Sequence, residues 1–361
     1  MAGNQIDPWS SSQSFDYSKL FDEFGLSPIS PQLESKLGFY LAKRSILFAH
    51  RDLDLWLKDA VEKKQVAIMS GIKPSSEFHL GSKLTADEMI FFQKNFGAKV
   101  FYAIADLEAF ADNGLSLDQS HSIAISNLAD FLALGLDPKN AYIYKQSKEM
   151  RVMNMAYLFS KRATPAMLQA LYGQRSISLY FAALTQVGDI LLPQHRDFGG
   201  PKRTLVPVGI DQDPHIRFSR DIAFKERLIA PSAVYHKIMR GLRGESKMSK
   251  RDPSSTLSLS DSQEDAKKKL SSTLTGGRAT AHEQKKLGGE IEKCVFFELM
   301  KFHFISDEKE LEKMKNDCIS GAVLCGDCKA CYSKKVLEWL AAHQKKKKQM
   351  LSAAQKILEE S

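Results

Sequence analysis

The sequence predicts an α/β protein: a doubly wound parallel sheet followed by an all-α C-terminal domain. Three observations carry this. Between residues 65 and 255, short runs rich in β-branched and aromatic residues alternate with longer amphipathic stretches. Loops bearing Gly, Pro and Ser follow several of those runs. Residues 256–361 read as helical.

In chain order, residues 1–64 read as an N-terminal extension. Asp7-Pro8-Trp9 and a serine-rich stretch are irregular, residues 17–24 form a helical turn or two, and Ser30-Pro31 opens a helical stretch broken near Gly38. Residues 44–64 are expected to be helical, because Ile46, Leu47, Leu53, Trp56, Leu57 and Val61 recur at helical spacing. Residues 65–255 form the sheet domain, with strands expected at 65–69, 99–105, 141–144 and 203–208 and a helix over 84–96. Ser116 and Gln119 form a capping box for a helix that runs to Leu134 and stops at Gly135. A doubly wound sheet binds ligands at the carboxyl ends of its strands, which places the loops 70–82, 106–108 and 209–213 there. Residues 256–361 carry expected helices at 261–271, 282–302, 307–316 and 334–360, with turns at Gly276-Gly277 and Gly288-Gly289.

The 361 residues suit two domains, or one large domain with a helical appendage. A net charge of +8 suits a polyanionic partner, and part of the excess is the four-lysine run 345–348. No apolar run is long enough to span a membrane, and residues 1–15 lack the pattern of a signal peptide, so an intracellular, cytoplasmic protein is expected. All five cysteines follow residue 290, which excludes a disulfide framework spread across the fold.

Three stretches carry chemistry. Lys247-Met248-Ser249-Lys250, preceded by Gly241 and Gly244, is a loop that can swing two ammonium groups onto a leaving pyrophosphate. The stretch 70–82, SGIKPSSEFHLGS, follows a strand and precedes a helix. There Gly81 permits close backbone approach, the helix N-terminus favours anions, and His79 can donate to a phosphate oxygen. The stretch 209–215, GIDQDPH, places an Asp and a Gln at a strand end, where they can hold ribose hydroxyls and an α-ammonium. Glu108, at another strand end, can bind an ammonium or cap the next helix. Gln186 lies among apolar residues, where a buried amide needs partners. Cys294, Cys318, Cys325 and Cys328, with Cys331 three residues on, can converge as thiolates on a [4Fe–4S] cluster or on Zn²⁺.

On these residues the chain resembles the archaeal and eukaryotic type of tryptophanyl-tRNA synthetase, a class I aminoacyl-tRNA synthetase. The resemblance covers nearly the whole chain. It includes Asp7-Pro8-Trp9, His50-Arg51-Asp52, the stretch 71–82, the run 209–214 continuing through Arg217, Arg220 and Asp221, the loop 247–250, and Gly276-Gly277-Arg278 with Gly288-Gly289 and Ala342-His343-Gln344. It implies a Rossmann-like catalytic domain over 65–255 and an anticodon-binding helical domain over 256–361. It further implies ATP and Mg²⁺ as cofactors, L-tryptophan and tRNA(Trp) as partners, and a homodimer. By resemblance, His79, Lys247 and Lys250 are catalytic. Pro74, His79, Gly81, Ser82, Gly209, Asp211, Lys247, Met248, Ser249 and Lys250 bind ATP, and Met69, Glu108, Gln186 and Gln212 bind tryptophan. Some bacterial members carry a [4Fe–4S] cluster at a spacing similar to that of these cysteines.

Four residues depart from the family pattern. Ser82 replaces the second histidine of His-x-Gly-His, and Arg251 replaces a serine after the mobile loop. Met69 and Ala103 stand where eukaryotic members use Tyr and Gln to read the indole N–H. The rival readings are a tyrosine-specific relative, against which GIDQDP argues, and a paralogue with weakened catalysis.

Overall fold

The computed structural model describes residues 6–9, 16, 17, 19–245, 247, 248 and 252–361. The chain packs as two compact units. The first comprises Met1–Ser76, Thr85–Lys237 and Met350–Ser361; the second comprises Glu77–Leu84 and Ile238–Gln349.

The first unit is built on a seven-stranded sheet of β1 (Ser27–Pro28), β2 (Leu47–Arg51), β3 (Ala67–Ile72), β4 (Lys99–Ile104), β5 (Ala141–Lys145), β6 (Thr204–Gly209) and β7 (Ser232–His236), in the order β1-β2-β7-β6-β3-β4-β5. The five strands from β7 to β5 are mutually parallel, and β1 and β2 add antiparallel pairs at one edge. The α/β expectation therefore holds, with the sheet reversing its winding between β3 and β6. In such sheets the crevice at the carboxyl ends of the two strands flanking the reversal is the ligand position.

Two strands differ from the sequence expectation. Residues 44–64 are not one helix: β2 occupies 47–51, and a helix, Leu53–Val61, follows. Ile46, Leu47, Phe48 and Ala49 are all buried, and a strand buried on both faces shows a continuous apolar run, not an alternation. Asp52, with φ 51°, makes the corner between strand and helix. The second is β7, whose five residues are all buried; it was not expected, because Ser232 and His236 at its ends make the apolar run short. The expected capping box is present: Gln119 N–H donates to the Ser116 side chain, and the Gln119 side chain accepts from the Ser116 backbone. The core includes Trp56, which is fully buried. Its ring packs edge-on against Phe92 and its Nε1 donates to the Ala67 carbonyl at 2.9 Å, so the one polar atom of this large side chain is satisfied.

A buried ionic cluster ties the edge strands to the rest of this unit. The Asp213 carboxylate is 0% exposed, accepts from Arg51 Nε (3.1 Å) and Nη2 (3.0 Å) and from Tyr235 Oη (2.6 Å), and is ion-paired with Arg217 at 3.1 Å. Arg51 Nη2 also donates to the Phe24 carbonyl at the end of helix Leu20–Phe24. Arg220 pairs with Asp52 at 2.7 Å.

In the second unit, Leu80 N–H donates to the Leu257 carbonyl, Leu259 N–H donates to the Phe78 carbonyl, and His79 bridges to Ser258. The excursion 77–84 is thereby stitched to the segment that follows the 247–250 loop. The expected helix 282–302 is broken into Ala281–Leu287, Val295–Leu299 and a wide turn, Met300–Phe304, because Gly288-Gly289 interrupts it. The last helix, Cys325–Glu360, starts nine residues before its expected position at 334. Gly326 in its first turn costs about 1 kcal/mol relative to Ala and hid that start. No single helix among the described residues is long and apolar enough to cross a membrane. The apolar segments Pro165–Tyr172 and Ile177–Gln194 follow one another but are bent by 89°.

Replacing Arg51 by Met leaves the Asp213 charge buried with both of its Arg51 donor atoms removed, so unfolding free energy in urea should fall by about 3–5 kcal/mol. The double replacement Arg51→Met with Asp213→Asn should recover part of that loss. A double variant less stable than Arg51→Met would refute the charge argument.

Candidate functional site

The first unit gathers the residues expected to bind an amino acid. Glu108 lies in the first turn of helix Asp106–Asn113, which leaves the carboxyl end of β4. Gln212 ends the short turn Ile210–Gln212 that leaves β6 at Gly209, and Asp211 in that turn is 5% exposed. Met69 is buried in β3. Gln186 is half-buried on helix Ile177–Leu191, which packs on helix Asp106–Asn113 and on β3 and β6. Pro74 is buried just after β3. Glu108 Oε1 stands 3.8 Å from Lys73 Nζ, and Gln212 Nε2 donates to Asp211 Oδ2 at 3.2 Å.

Asp189 was missed by the sequence reading. It lies one helical turn beyond Gln186, is 1% exposed, and accepts from Tyr144 Oη at 2.8 Å and Gln146 Nε2 at 2.6 Å. Burial pushes its carboxyl up to about 7. The donors Gln146 and Tyr144 pull it back, and the charges of Glu108 and Asp106 add to the rise. An available signal was a charged residue inside an otherwise apolar helical run, Val187-Gly188-Asp189-Ile190-Leu191. His215 is the opposite case: burial pushes its imidazole down to about 3, so it is neutral, with Nδ1 3.0 Å from Tyr172 Oη.

The segment 6–9 lies against the same residues. Trp9 Nε1 donates to Glu108 Oε1 at 3.3 Å, and Gln212 Nε2 donates to the Pro8 carbonyl at 3.3 Å. The Trp9 ring lies 5.4 Å from Tyr172 and edge-on to His215 at 5.5 Å.

The second unit holds the residues expected to meet phosphate. His79 Nδ1 accepts from the Gly81 N–H at 3.0 Å, which places the imidazole proton on Nε2, the tautomer that donates outward. A Cβ at Gly81 would lie 2.8 Å from His79 Cε1, so glycine is required for the ring to fold back onto its own loop. Ser82 and Lys83 open helix Leu80–Phe96; Lys83 Nζ sits 5.3 Å from the Trp339 ring centroid. Met248 is buried, and its N–H donates to the Met239 carbonyl at 3.0 Å, which anchors one side of the 247–250 loop. Ser249, Lys250 and Arg251 lie outside the described residues.

Cys294, Cys318, Cys325 and Cys328 line one pocket in this unit, with Phe296, Phe297, Met314, Val323 and Tyr332 around them. Burial and the neighbouring sulfurs push the Cys318 thiol up to about 11 and the Cys328 thiol up to about 12. Cys325, Cys328 and Cys331 share helix Cys325–Glu360, and Cys294 caps helix Val295–Leu299. A Cβ at Gly289 would lie 2.7 Å from the Cys318 sulfur. Among the described residues, no three His, Cys, Asp or Glu side chains stand close enough to hold one metal ion, which supports neither the [4Fe–4S] nor the Zn²⁺ expectation.

The family model for tRNA synthetases class I (W and Y) matches residues 61–341. The tryptophan–tRNA ligase of Aeropyrum pernix is 40% identical over 99% of both chains, and that of Methanopyrus kandleri is 40% identical over 93% of this chain and 91% of its own. The crystal structure of the Aeropyrum pernix tryptophanyl-tRNA synthetase superposes with a TM-score of 0.91 at 40% identity, covering 98% of this chain and 99% of that one.

The raised carboxyl of Asp189 has a stability consequence. Between the ordinary carboxyl pKa near ~4 and about 7 the unfolded chain has released this proton while the folded chain holds it, so its contribution falls as pH rises through that window. Asp189→Asn should therefore lose less stability than the parent between pH 5 and pH 7, read from urea midpoints; equal losses would place the Asp189 pKa in the ordinary range.

Proposed function

This chain belongs to the class I tRNA synthetases for tryptophan and tyrosine, and from that membership we propose how its residues divide the work of joining L-tryptophan to tRNA. It is an ATP-dependent tryptophan–tRNA ligase. The tryptophan carboxylate attacks the α-phosphorus of ATP, a carboxyl–phosphate anhydride forms, and the bond to the β-phosphate breaks to release pyrophosphate. The terminal ribose hydroxyl of the tRNA then attacks the tryptophanyl carbonyl, and AMP leaves.

The observation that carries the division of roles is that Glu108 leaves the carboxyl end of β4 and Gln212 the carboxyl end of β6, on either side of β3 and beside the reversal between β3 and β6, while Gln186 lies on helix Ile177–Leu191, which packs on β3 and β6. We assign these three to the α-ammonium and the seating of the amino acid, with Met69 against the indole. Met69 and Ala103 offer no polar side-chain acceptor to the indole N–H. Asp189 offers one: a carboxylate has about four acceptor positions, of which Tyr144 and Gln146 take two. Gly209 and Asp211 are assigned to the ribose. His79 with its Nε2 proton, the backbone at Gly81 and Ser82, and Lys247 and Lys250 are assigned to the phosphates, with Pro74 shaping the loop; Mg²⁺ brought with ATP would add positive charge there. Little covalent chemistry is asked of these groups; positioning and charge stabilisation carry the rate.

Residues 256–361 are assigned to the anticodon, supported by the exposed lysines 345, 346 and 348, whose attraction to a phosphate backbone weakens with salt. A homodimer is supported by exposed Tyr157, Leu158, Ile177, Phe181 and Phe224 on mutually packed helices, and sedimentation would read it. Because tRNA and ATP are its substrates, we assign the enzyme to the cytoplasm.

The four-thiol pocket is assigned to a [4Fe–4S] cluster held by Cys294, Cys318, Cys325 and Cys328. Bound, such a group would cross-link helices through iron–thiolate bonds and lower the thiol pKa values that burial now raises.

Two experiments test this. Exchange of labelled pyrophosphate into ATP should depend on tryptophan and not tyrosine. Lys250→Ala should slow adenylate formation by about 10²-fold while tryptophan binding holds; equal loss of both refutes the role of Lys250. Anaerobically purified protein should carry iron and acid-labile sulfide in equal amounts with a visible charge-transfer band, lost in Cys328→Ser. Protein that stays free of iron after anaerobic reconstitution, or that carries zinc without sulfide, overturns the cluster.

A further inference from the structure

The contact between Trp9 and Glu108 is unexplained by packing alone. A phenyl ring would fill the same apolar space between Tyr172 and His215. Trp9 instead delivers its single donor, Nε1–H, to Glu108 Oε1 at 3.3 Å, and that atom is also the one that Lys73 Nζ approaches at 3.8 Å. The indole is itself clamped. Arg175 stands 5.5 Å from its ring centroid and is tied to Asp7 at 2.5 Å and to the Tyr172 carbonyl at 3.0 Å. Trp9 N–H donates to Asp7 Oδ1 at 3.1 Å. The preceding Pro8 carbonyl takes the Gln212 amide at 3.3 Å. Residues 8 and 9 thus hold one group leaving β4 and one leaving β6 together.

We propose that Trp9 is a positioning residue of the amino-acid site, which fixes the Glu108 carboxylate through Oε1 so that it meets the α-ammonium of tryptophan in one orientation. This rests on the assignment of Glu108 to the ammonium. A carboxylate on a flexible stem loses rotamer freedom when it binds an ammonium; a donor that holds one oxygen in advance removes that cost before the substrate arrives. A hydrogen bond to an ionised carboxylate is among the stronger kinds, and the indole N–H has no second donor with which to compete for the substrate's place. The interaction exists before and during the reaction, so its loss weakens binding and leaves the chemical step alone.

The test is pyrophosphate exchange by Trp9→Phe, which keeps an aromatic ring and removes the donor. KM for tryptophan should rise about tenfold, the size of one lost charge-assisted hydrogen bond, with kcat and the KM for ATP held. Indole-3-propionate, which lacks the ammonium, should inhibit parent and variant equally, a readout that a loosened fold would not preserve. In a Glu108→Gln background, where the carboxylate charge is gone, Trp9→Phe should add little. If Trp9→Phe leaves the tryptophan KM unchanged while Glu108→Gln raises it, the proposal falls and the assignment of Glu108 stands. If Glu108→Gln leaves the tryptophan KM unchanged, both fall. Weakened inhibition by indole-3-propionate in Trp9→Phe would mean that Trp9 shapes the indole pocket, and would also overturn the proposal.

Discussion

The buried carboxylate of Asp213 is the constraint on which the first unit turns. A charge with no solvent access must be paired, and this one draws hydrogen bonds from two strands, from Arg51 at the end of β2 and Tyr235 in β7, and an ion pair from Arg217 one turn along its own helix. Pairs of this kind contribute little net stability against a well-packed apolar substitute, but they tolerate few alternative arrangements. Here the pairing fixes where β2 lies on β7, despite the register shift between Leu47 and Ala49. It also fixes the end of helix Leu20–Phe24 through the second donor atom of Arg51. Asp211 and Gln212 immediately precede Asp213, so anchoring the helix start anchors the two residues expected to meet substrate.

The same logic explains why two distant motifs read as a set. His50-Arg51-Asp52 and the run 209–220 are linked residue by residue: Arg51 to Asp213, and Asp52 to Arg220. His50 Nδ1 accepts from the Leu53 N–H and so closes the corner into the next helix. Several residues in the most specific stretch of the chain are structural partners, and the groups assigned to chemistry sit between them. Within this unit the carboxyl groups divide by environment. Asp213 is charged and paired, Asp189 is buried with neutral donors and its carboxyl pushed up, and Glu108 lies at a strand end among Lys73 and Trp9.

The second unit shows a different economy. Its excursion 77–84 is short, and strand-like hydrogen bonds to residues 257–259 hold it in place. His79 then gains a defined tautomer from a bond within its own loop, at the expense of requiring glycine two residues on. The cysteine pocket is similarly built by backbone economy, with a glycine beside the Cys318 sulfur where a side chain would collide. Burial and the neighbouring sulfurs raise the proton affinity of the Cys294, Cys318 and Cys328 thiols, which have little reason to ionise alone; a cationic group would reverse that.

The sequence by itself determined the α/β class, the loops that follow the strands and the start of the capped helix, because each is encoded locally. Alternating runs mark strands, glycines mark close approach, and the Ser116–Gln119 box marks a helix start. It misread residues 44–64, since a strand buried on both faces carries no alternation to distinguish it from a buried helix. It also missed β7 and the early start at Cys325. Only the tertiary structure decided which side chains meet. That Trp9 reaches Glu108 across 99 positions, that Asp189 accepts from Tyr144 and Gln146, and that Arg51 finds Asp213 all depend on how strands order in the sheet. No periodicity in the chain records those distances, because they are set by which elements pack together and not by the residues that lie between them in sequence.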